Sequence, residues 1–172
     1  MTKKVKPTLL IDSRERTPWC FDGDEDFAAI EHTKVDAGDY TLKGLETIIS
    51  IERKASADEL LNNFFENKER IYAEFERMKD YKFKYIIVEQ DLETLVNPKS
   101  YYINRSKRRR HNPHMPPAVV LSNLIDLMVL HNVHVIFAGS KASSIAKKIL
   151  LRVYYLHRLG KLSDDSEPKG AP

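Results

Sequence analysis

The sequence contains a single cysteine, Cys20, among its 172 residues. One cysteine excludes an internal disulfide framework and is typical of a protein that works in a reducing compartment. It also leaves no pair of cysteines of the kind that structural zinc sites use. Two histidines, His111 and His114, lie close together in the sequence. Without a cysteine pair beside them, we expect these side chains in loop or phosphate contacts rather than in a zinc site.

Long hydrophobic runs are also missing. The longest, at 119–121 and 125–130, are too short and too interrupted to span a bilayer. The apolar stretch behind the basic first residues ends at Asp12, so we expect no secretory signal peptide. The sequence therefore predicts an intracellular protein, in the cytoplasm and nucleoid, in a nucleus, or in a host cell if it is viral, with no membrane partner.

Acidic residues are absent between Glu93 and Asp126. The whole chain has a net charge of +3, and this window alone carries more positive charge than that. The residues outside the window therefore have a net negative charge. A basic block on an acidic chain predicts a polyanion partner, although a solvated loop or a targeting signal has the same composition. The predicted DNA-binding residues of the block are Arg105, Lys107, Arg108, Arg109 and Arg110.

The remaining composition is that of one soluble domain, with 42% hydrophobic and 31% charged residues. Strand-like and helix-like patterns alternate, which predicts an α/β fold with a mixed central sheet flanked by helices. We expect one domain at 1–159, a basic loop at 97–117 and a disordered tail at 160–172. The predicted strands are 8–12, 39–42, 47–54, 83–89 and 133–137, and the predicted helices are 24–30, 56–80, 91–96, 118–131 and 140–159.

Charged residues at the end of the third predicted strand form the candidate site. Side chains alternate along a strand, so Glu52 and Lys54 share a face and Arg53 points the other way, where we expect it to fix local structure or pair with a carboxylate. Two steps along a strand separate Cα atoms by about 6.6 Å, so one side chain can hold a metal while the other reaches water or phosphate. Antiparallel pairing of the hairpin would bring Asp39 beside Glu52, and Asp12 could enter the same pocket.

Phosphodiester hydrolysis uses this set of side chains. Mg²⁺ prefers oxygen ligands, commonly one or two carboxylates with water and substrate phosphate, and a nearby lysine offsets negative charge. Plainer interpretations remain open from spacing alone. Glu-Arg-Lys is also typical of an exposed strand end, Asp39 after Gly38 of a turn, and Asp58 of the first turn of a helix.

The order of these residues resembles a known family. Gly38-Asp39, twelve residues, Glu52-Arg53-Lys54, three residues and Asp58 are similar to the signature of the XPF-type (ERCC4-domain) structure-specific endonucleases. These proteins are a branch of the restriction-endonuclease-like nucleases. The segment Ile11 to Glu15 resembles the first motif of the family, an apolar strand that runs into D-x-R-E. The similarity covers roughly residues 9–157.

The resemblance implies a site and a reaction. It implies that Asp39 and Glu52 bind the metal, that Lys54 is the catalytic lysine and that Asp12 closes the metal site. Glu15, Arg53 and Asp58 match the remaining motif positions. It further implies cleavage of branched, flapped or forked DNA with Mg²⁺, or with Mn²⁺ in its place. Such an enzyme would serve DNA recombination, repair or replication.

Two features depart from the family pattern. The chain ends soon after residue 159 without the helix-hairpin-helix or helicase domains of many members, so we expect a compact, stand-alone protein of phage or bacterial type. The basic segment 105–117 has no counterpart in the general pattern. A Holliday-junction resolvase on the same core and a catalytically inactive DNA-binding scaffold therefore remain alternatives, although the intact Asp39, Glu52 and Lys54 argue against the scaffold.

The last two predicted helices suggest a homodimer. Residues 127–130 are all apolar and sweep round the axis of their helix, so one contact with the sheet cannot cover them. The final helix, at 140–159, could supply part of the missing cover but carries surplus apolar residues of its own. The resemblance implies pairing through the same late helices. The alternative is that the two helices bury only each other.

Overall fold

The computed structural model describes residues 5–56, 59–60, 67–96 and 117–162 of the protein. Within these ranges six strands form one sheet: β1 (Thr8–Asp12), β2 (Ala29–Thr33), β3 (Tyr40–Leu42), β4 (Ile49–Lys54), β5 (Phe83–Val88) and β6 (Val133–Phe137). Their order across the sheet is β2-β1-β3-β4-β5-β6. Strand β3 is antiparallel to both β1 and β4, whereas the pairs β1–β2, β4–β5 and β5–β6 are parallel.

Helices cover both faces of this sheet. They are α1 (Lys68–Arg77), α2 (Leu92–Val96), α3 (Pro117–His131) and α4 (Ala142–Arg158), and a 3-10 turn at Gly139–Lys141 precedes α4. Buried residues of α4 join one apolar cluster with Ile49, Ile51 and Ile87, whereas α1 and α3 join a second cluster with Ile86 and Val88. Because successive side chains of β5 alternate between the two clusters, these helices lie on opposite faces. The predicted α/β fold with a mixed sheet is confirmed.

The helix predicted at 24–30 is wrong. The segment 24–30 was expected to be helical, but it is a turn at 24–28 followed by strand β2 at the edge of the sheet. All five residues of β2 are paired with β1, and the N–H of Ala28 donates to the carbonyl of Pro7 at 2.8 Å. Strand β2 is held by this pairing rather than by a buried apolar face, because each of its side chains is at least partly exposed.

The single helix predicted at 56–80 is wrong as one element, because Asn67 is non-helical, with a φ of −135°, and a separate helix begins at Lys68. Helical turns are present at 59–60 and along α1, which ends at Arg77. The oxygen Ser56 Oγ accepts the N–H of Glu59 at 3.0 Å, as expected for a helix cap. The Glu59 carboxylate accepts the N–H of Ala55 at 2.9 Å, one residue earlier than the usual reciprocal bond.

The outer side of α3 is apolar and exposed. Its inner side buries Val120, Leu124 and Leu127 against the sheet and α1, whereas Val129 and Leu130 are 75% and 69% exposed. Since α4 packs on the other face of the sheet, the expectation that it covers part of α3 is wrong, and so is the alternative that the two helices bury only each other. None of the helices in the described ranges is long and apolar enough to cross a membrane.

Candidate active site

Three acidic residues lie on three neighbouring strands. Asp12 ends β1, Asp39 directly precedes β3, and Glu52 belongs to β4. The N–H of Asp12 donates to the carbonyl of Asp39 at 2.8 Å, and the N–H of Asp39 donates to the carbonyl of Ile51 at 2.9 Å. The neighbours Ile11, Tyr40 and Ile51 all enter the apolar cluster under α4. Strand alternation therefore directs the acidic side chains to the opposite face of the sheet, towards α1.

A constrained turn places Asp39. Gly38 has a φ of 74°, and a Cβ at this position would lie 2.1 Å from Ser50 Oγ, so the turn requires glycine. The Ser50 hydroxyl donates to the carbonyl of Ala37 at 2.9 Å. From α1, the carboxylate of Glu74 accepts the N–H of Gly38 at 3.2 Å. The turn is thus tied both to the sheet and to a helix.

Ionisation of the Asp39 side chain is unfavourable in this position. Its Oδ2 accepts the N–H of Arg53 at 2.7 Å. Burial, and secondly the negative charge of Glu52, raise the pKa of Asp39 to about 8. Burial also raises the pKa of Glu52. Two carboxylates that resist ionisation together are stabilised by a cation between them.

Lys54 provides one nearby positive charge. Its Nζ lies 2.6 Å from Glu52 Oε1 and 3.9 Å from Glu59 Oε1, and its side chain is only 10% exposed. Burial opposes the charge on Lys54, but the carboxylate of Glu52 outweighs this effect and raises the pKa of Lys54. The lysine therefore stays protonated beside Glu52 at neutral pH.

A cleft of about 150 Å³ opens beside this ion pair, between β4 and α1. Its polar lining contains both members of the pair together with Glu74 and Arg70 from α1, and its floor is apolar. The lining residues are Glu52, Lys54, Glu59, Leu60, Asn67, Arg70, Ile71, Glu74, Phe75 and Ile86. The sequence patterns pointed to Glu52 and Lys54 but not to Arg70 or Glu74.

Asp12 lies in the row of acidic residues but already has a cationic partner. Its carboxylate accepts the main-chain N–H of Arg14 at 2.7 Å, the Arg14 guanidinium at 2.5 Å and the N–H of Val35 at 3.3 Å. Burial disfavours the charge of Asp12, but the hydrogen bonds from Arg14 outweigh it and lower the pKa of the carboxyl. Its predicted role as a metal ligand stays a prediction.

Arg53 faces away from the cleft and pairs with carboxylates, as its alternation along the strand predicted. Its Nε donates to Glu89 at 2.6 Å, and its Nη1 lies 3.4 Å from Glu15. The guanidinium lies over the ring of Trp19, whose Nε1 also donates to Glu89. Glu15, marked by the pattern Ile11 to Glu15, is in contact with Arg53, and its assignment to the catalytic residues stays a prediction. Glu89 was missed, because its sequence position after a buried strand is typical of many surface residues.

Several predicted site residues lie outside the described residues. They are Asp58, the basic residues Arg105, Lys107, Arg108, Arg109 and Arg110, the histidines His111 and His114, and residues 163–172 of the predicted tail.

The donor set suits a hard divalent cation. Among the described residues, no three His, Cys, Asp or Glu side chains are grouped to enclose a metal. Glu52 lines the cleft and Asp39 lies close enough to feel its charge, and two carboxylates are the number that Mg²⁺ commonly takes from a protein when water and phosphate complete its shell. Burial and the negative charge of Glu52 disfavour ionisation of Asp39, and a cation between the two carboxylates would favour it. The residues therefore fit such an ion.

One known family and two solved structures are similar to this chain. Residues 11–147 match the ERCC4 domain family. The fold is similar to the structure of XPF from Aeropyrum pernix, with a TM-score of 0.59, 18% identity and coverage of 90% of this chain and 69% of that chain. A structure of XPF from Aeropyrum pernix in complex with DNA is also similar, with a TM-score of 0.56, 21% identity and coverage of 93% of this chain and 69% of that chain.

No curated protein sequence gives a significant match. At 18% and 21% identity, the two structures establish a shared fold. The family match spans most of the chain and includes Asp12, Asp39, Glu52 and Lys54. The chain therefore belongs to the ERCC4 domain family.

Proposed function

We propose that this chain is a divalent-metal-dependent DNA endonuclease that hydrolyses phosphodiester bonds. Membership of the ERCC4 domain family supports a structure-specific DNA endonuclease. The observation that carries the proposal is the pair of carboxylates, Asp39 and Glu52, with Lys54 at 2.6 Å from Glu52 beside an open cleft. A catalytically inactive scaffold would not need to keep two mutually repelling carboxylates and a lysine together in this way.

Asp39 and Glu52 would hold Mg²⁺, for which Mn²⁺ can substitute, and the ion would stabilise charge on the phosphate and acidify the attacking water. Lys54 is charged at neutral pH and lies at the mouth of the same cleft, so it can orient water or offset the charge of the phosphate. Asp12, paired with Arg14, closes the row at its far end. Arg53 holds Asp39 through its main-chain N–H and anchors this strand through Glu15 and Glu89.

The substrate we propose is branched, flapped or forked DNA. One structure of similar fold is a complex with DNA, which supports a nucleic-acid substrate. A labelled flap, fork, four-way junction and linear duplex, each with and without Mg²⁺, test the proposal. We expect cleavage near the branch of the flap and fork, only with metal, and none by Glu52→Gln. Preferred cleavage of the four-way junction would identify a resolvase instead, and binding without any cleavage would identify a scaffold.

We further propose that Arg105, Lys107, Arg108, Arg109 and Arg110 bind DNA phosphates. The support is their charge, because the window between Glu93 and Asp126 holds no acidic residue. Replacing these five residues with glutamine should weaken binding to all DNA shapes about equally. Each lost phosphate contact should flatten the slope of log affinity against log salt by about 0.7–0.9. An unchanged slope would indicate a solvated loop.

A homodimer through α3 is our proposal for the quaternary state. The support is its outer face, where Val119, Ile125, Met128, Val129 and Leu130 are all at least 44% exposed. An apolar patch of this kind is typical of an interface. Light scattering at micromolar concentration should give twice the chain mass of 19.9 kDa. Val129→Glu should give the monomer, whereas a wild-type monomer with full activity would contradict the proposal.

A further inference from the structure

Helix α1 contributes a carboxylate to the candidate site that no motif marks. Glu74 lies on the inner side of α1, next to the buried Phe75, and its side chain lines the cleft with Glu52 and Lys54. Its Oε1 accepts the N–H of Gly38 at 3.2 Å, across 36 positions of sequence. The charge of Glu74 also acts on Glu52. Glu74 is therefore in contact with the turn that presents Asp39 and close to the second carboxylate.

The contact with Gly38 matters because it ties the turn that carries Asp39 to helix α1. Gly38 has a left-handed conformation, and its main-chain N–H faces α1 rather than a neighbouring strand. The sheet fixes the turn through three hydrogen bonds: Ser50 Oγ donates to Ala37, the N–H of Asp39 donates to Ile51, and the N–H of Asp12 donates to the carbonyl of Asp39. Glu74 adds a restraint from a helix, on the residue directly before Asp39. Displacing a catalytic group by about 1 Å can cost about 100-fold in rate.

We propose that Glu74 is a positioning residue for catalysis, which fixes the Asp39 turn through the Gly38 N–H. The inference rests on the proposed nuclease function, and it adds a residue on α1 to a site otherwise built from β1, β3 and β4. Two properties of Glu74 can be separated by substitution. Glutamine keeps the length and an oxygen that accepts a hydrogen bond but loses the charge, whereas aspartate keeps the charge but is too short to reach Gly38.

The experiment compares Glu74→Gln, Glu74→Asp and Glu74→Ala with a matched control, Glu69→Ala. Glu69 is an exposed carboxylate on the same helix. If positioning is the role, Glu74→Gln keeps kcat within about threefold, whereas Glu74→Asp and Glu74→Ala lose about 10–100-fold in kcat. Their KM and metal-free DNA affinity should be unchanged. In the metal-free protein, the amide NMR signal of Gly38 should move upfield in Glu74→Asp and Glu74→Ala but much less in Glu74→Gln.

Each outcome decides between roles. Wild-type turnover by folded Glu74→Ala, or an unmoved Gly38 signal, would overturn the proposal. A loss in Glu74→Gln as large as in Glu74→Ala would overturn it too, because charge would then matter rather than the hydrogen bond. If Glu74→Ala does not fold, the contrast between Glu74→Gln and Glu74→Asp gives the same decision. If wild-type protein cuts no DNA, the proposed function fails, whereas the Gly38 signal still tests the contact.

Discussion

The two faces of strand β4 differ in how their charged side chains are paired. On one face, Arg53 lies between two carboxylates, Glu15 and Glu89, and beneath the ring of Trp19. On the other face, the side chains of Glu52 and Lys54 line a cleft together with Glu74. Asp39 lies close to Glu52 on the same face. Three consecutive residues thus point to two different environments. Arg53 joins a network of ion pairs within the protein, whereas Glu52 and Lys54 line an open cleft.

The difference between the faces lies in their balance of charge. The aromatic face is closed, since Trp19 stacks on Tyr40 with ring centroids 4.6 Å apart and both rings are at least 90% buried. Its ionic groups all have partners within the protein. The cleft face has four carboxylates, Asp39, Glu52, Glu59 and Glu74, in or beside the cleft but only two cations, Lys54 and Arg70, so acidic groups are in excess and a bound cation would offset them. A strand held firmly by one face can therefore present a reactive, unfavourable arrangement on the other.

The largest effect should follow from removing a carboxylate on the cleft face. Asp39→Ala and Glu52→Ala are each expected to lower single-turnover DNA cleavage by about 1000-fold or more, because a metal ligand contributes several kcal/mol to lowering the barrier. Lys54→Ala should also slow turnover. DNA affinity, measured without metal, should change little, since phosphate contacts come mainly from arginines and lysines elsewhere.

Glu46→Ala is the matched control for these variants. Glu46 is an exposed carboxylate in the same hairpin, and its removal should leave cleavage unchanged. Full cleavage by Glu52→Ala would contradict the assignment of the metal site to this face.

A smaller effect, on stability rather than chemistry, should follow from breaking the aromatic face. Arg53→Ala leaves Glu15 and Glu89 without their cation, and their side chains are only 16% and 26% exposed. We expect the free energy of unfolding to fall by about 2–3 kcal/mol, with a fall in Tm of about 4–10 °C. Cleavage should decline less than in Glu52→Ala. Unchanged denaturant and thermal midpoints would show that the network does not hold the strand.

The difference between the faces also explains what the sequence could predict. Glu52, Arg53 and Lys54 were assigned to their faces correctly because strand alternation is local. Asp39 was placed beside β4 because a short hairpin joins the two strands. In both cases the spacing along the chain determines the spacing in the fold.

The features that sequence patterns missed depend on distant contacts. Strand β2 is a strand because of its pairing with β1, and its own residues show no buried alternation. The contact of Glu74 with Gly38 joins a helix to a turn across the cleft, and the contact of Glu89 with Arg53 joins two strands. The surplus of apolar residues on α3 was predicted, but the placement of α4 on the other face was not, since periodicity does not show which face of a sheet a helix covers.

The smallest of these effects is a dependence of stability on pH that comes from Asp39. Its pKa of about 8 in the folded protein exceeds the ordinary value of 3.8, so the folded protein binds a proton between these values that the unfolded chain has released. The stabilisation of the folded state that this bound proton provides is complete below pH 3.8 and is lost as the pH rises through about 8. Since the side chain is only half-buried, we expect the free energy of unfolding to fall by about 1–2 kcal/mol between pH 6 and 8.5, or Tm to fall by about 3–6 °C.

Asp39→Asn should remove most of this dependence of Tm on pH, and Glu46→Gln should keep it. Mg²⁺ should raise Tm more at pH 8.5 than at pH 6, because it binds the ionised carboxylate. Thermal denaturation measures the slope of Tm against pH for both proteins. Equal slopes in wild type and Asp39→Asn would show that Asp39 ionises normally and that burial and the charge of Glu52 do not raise its pKa.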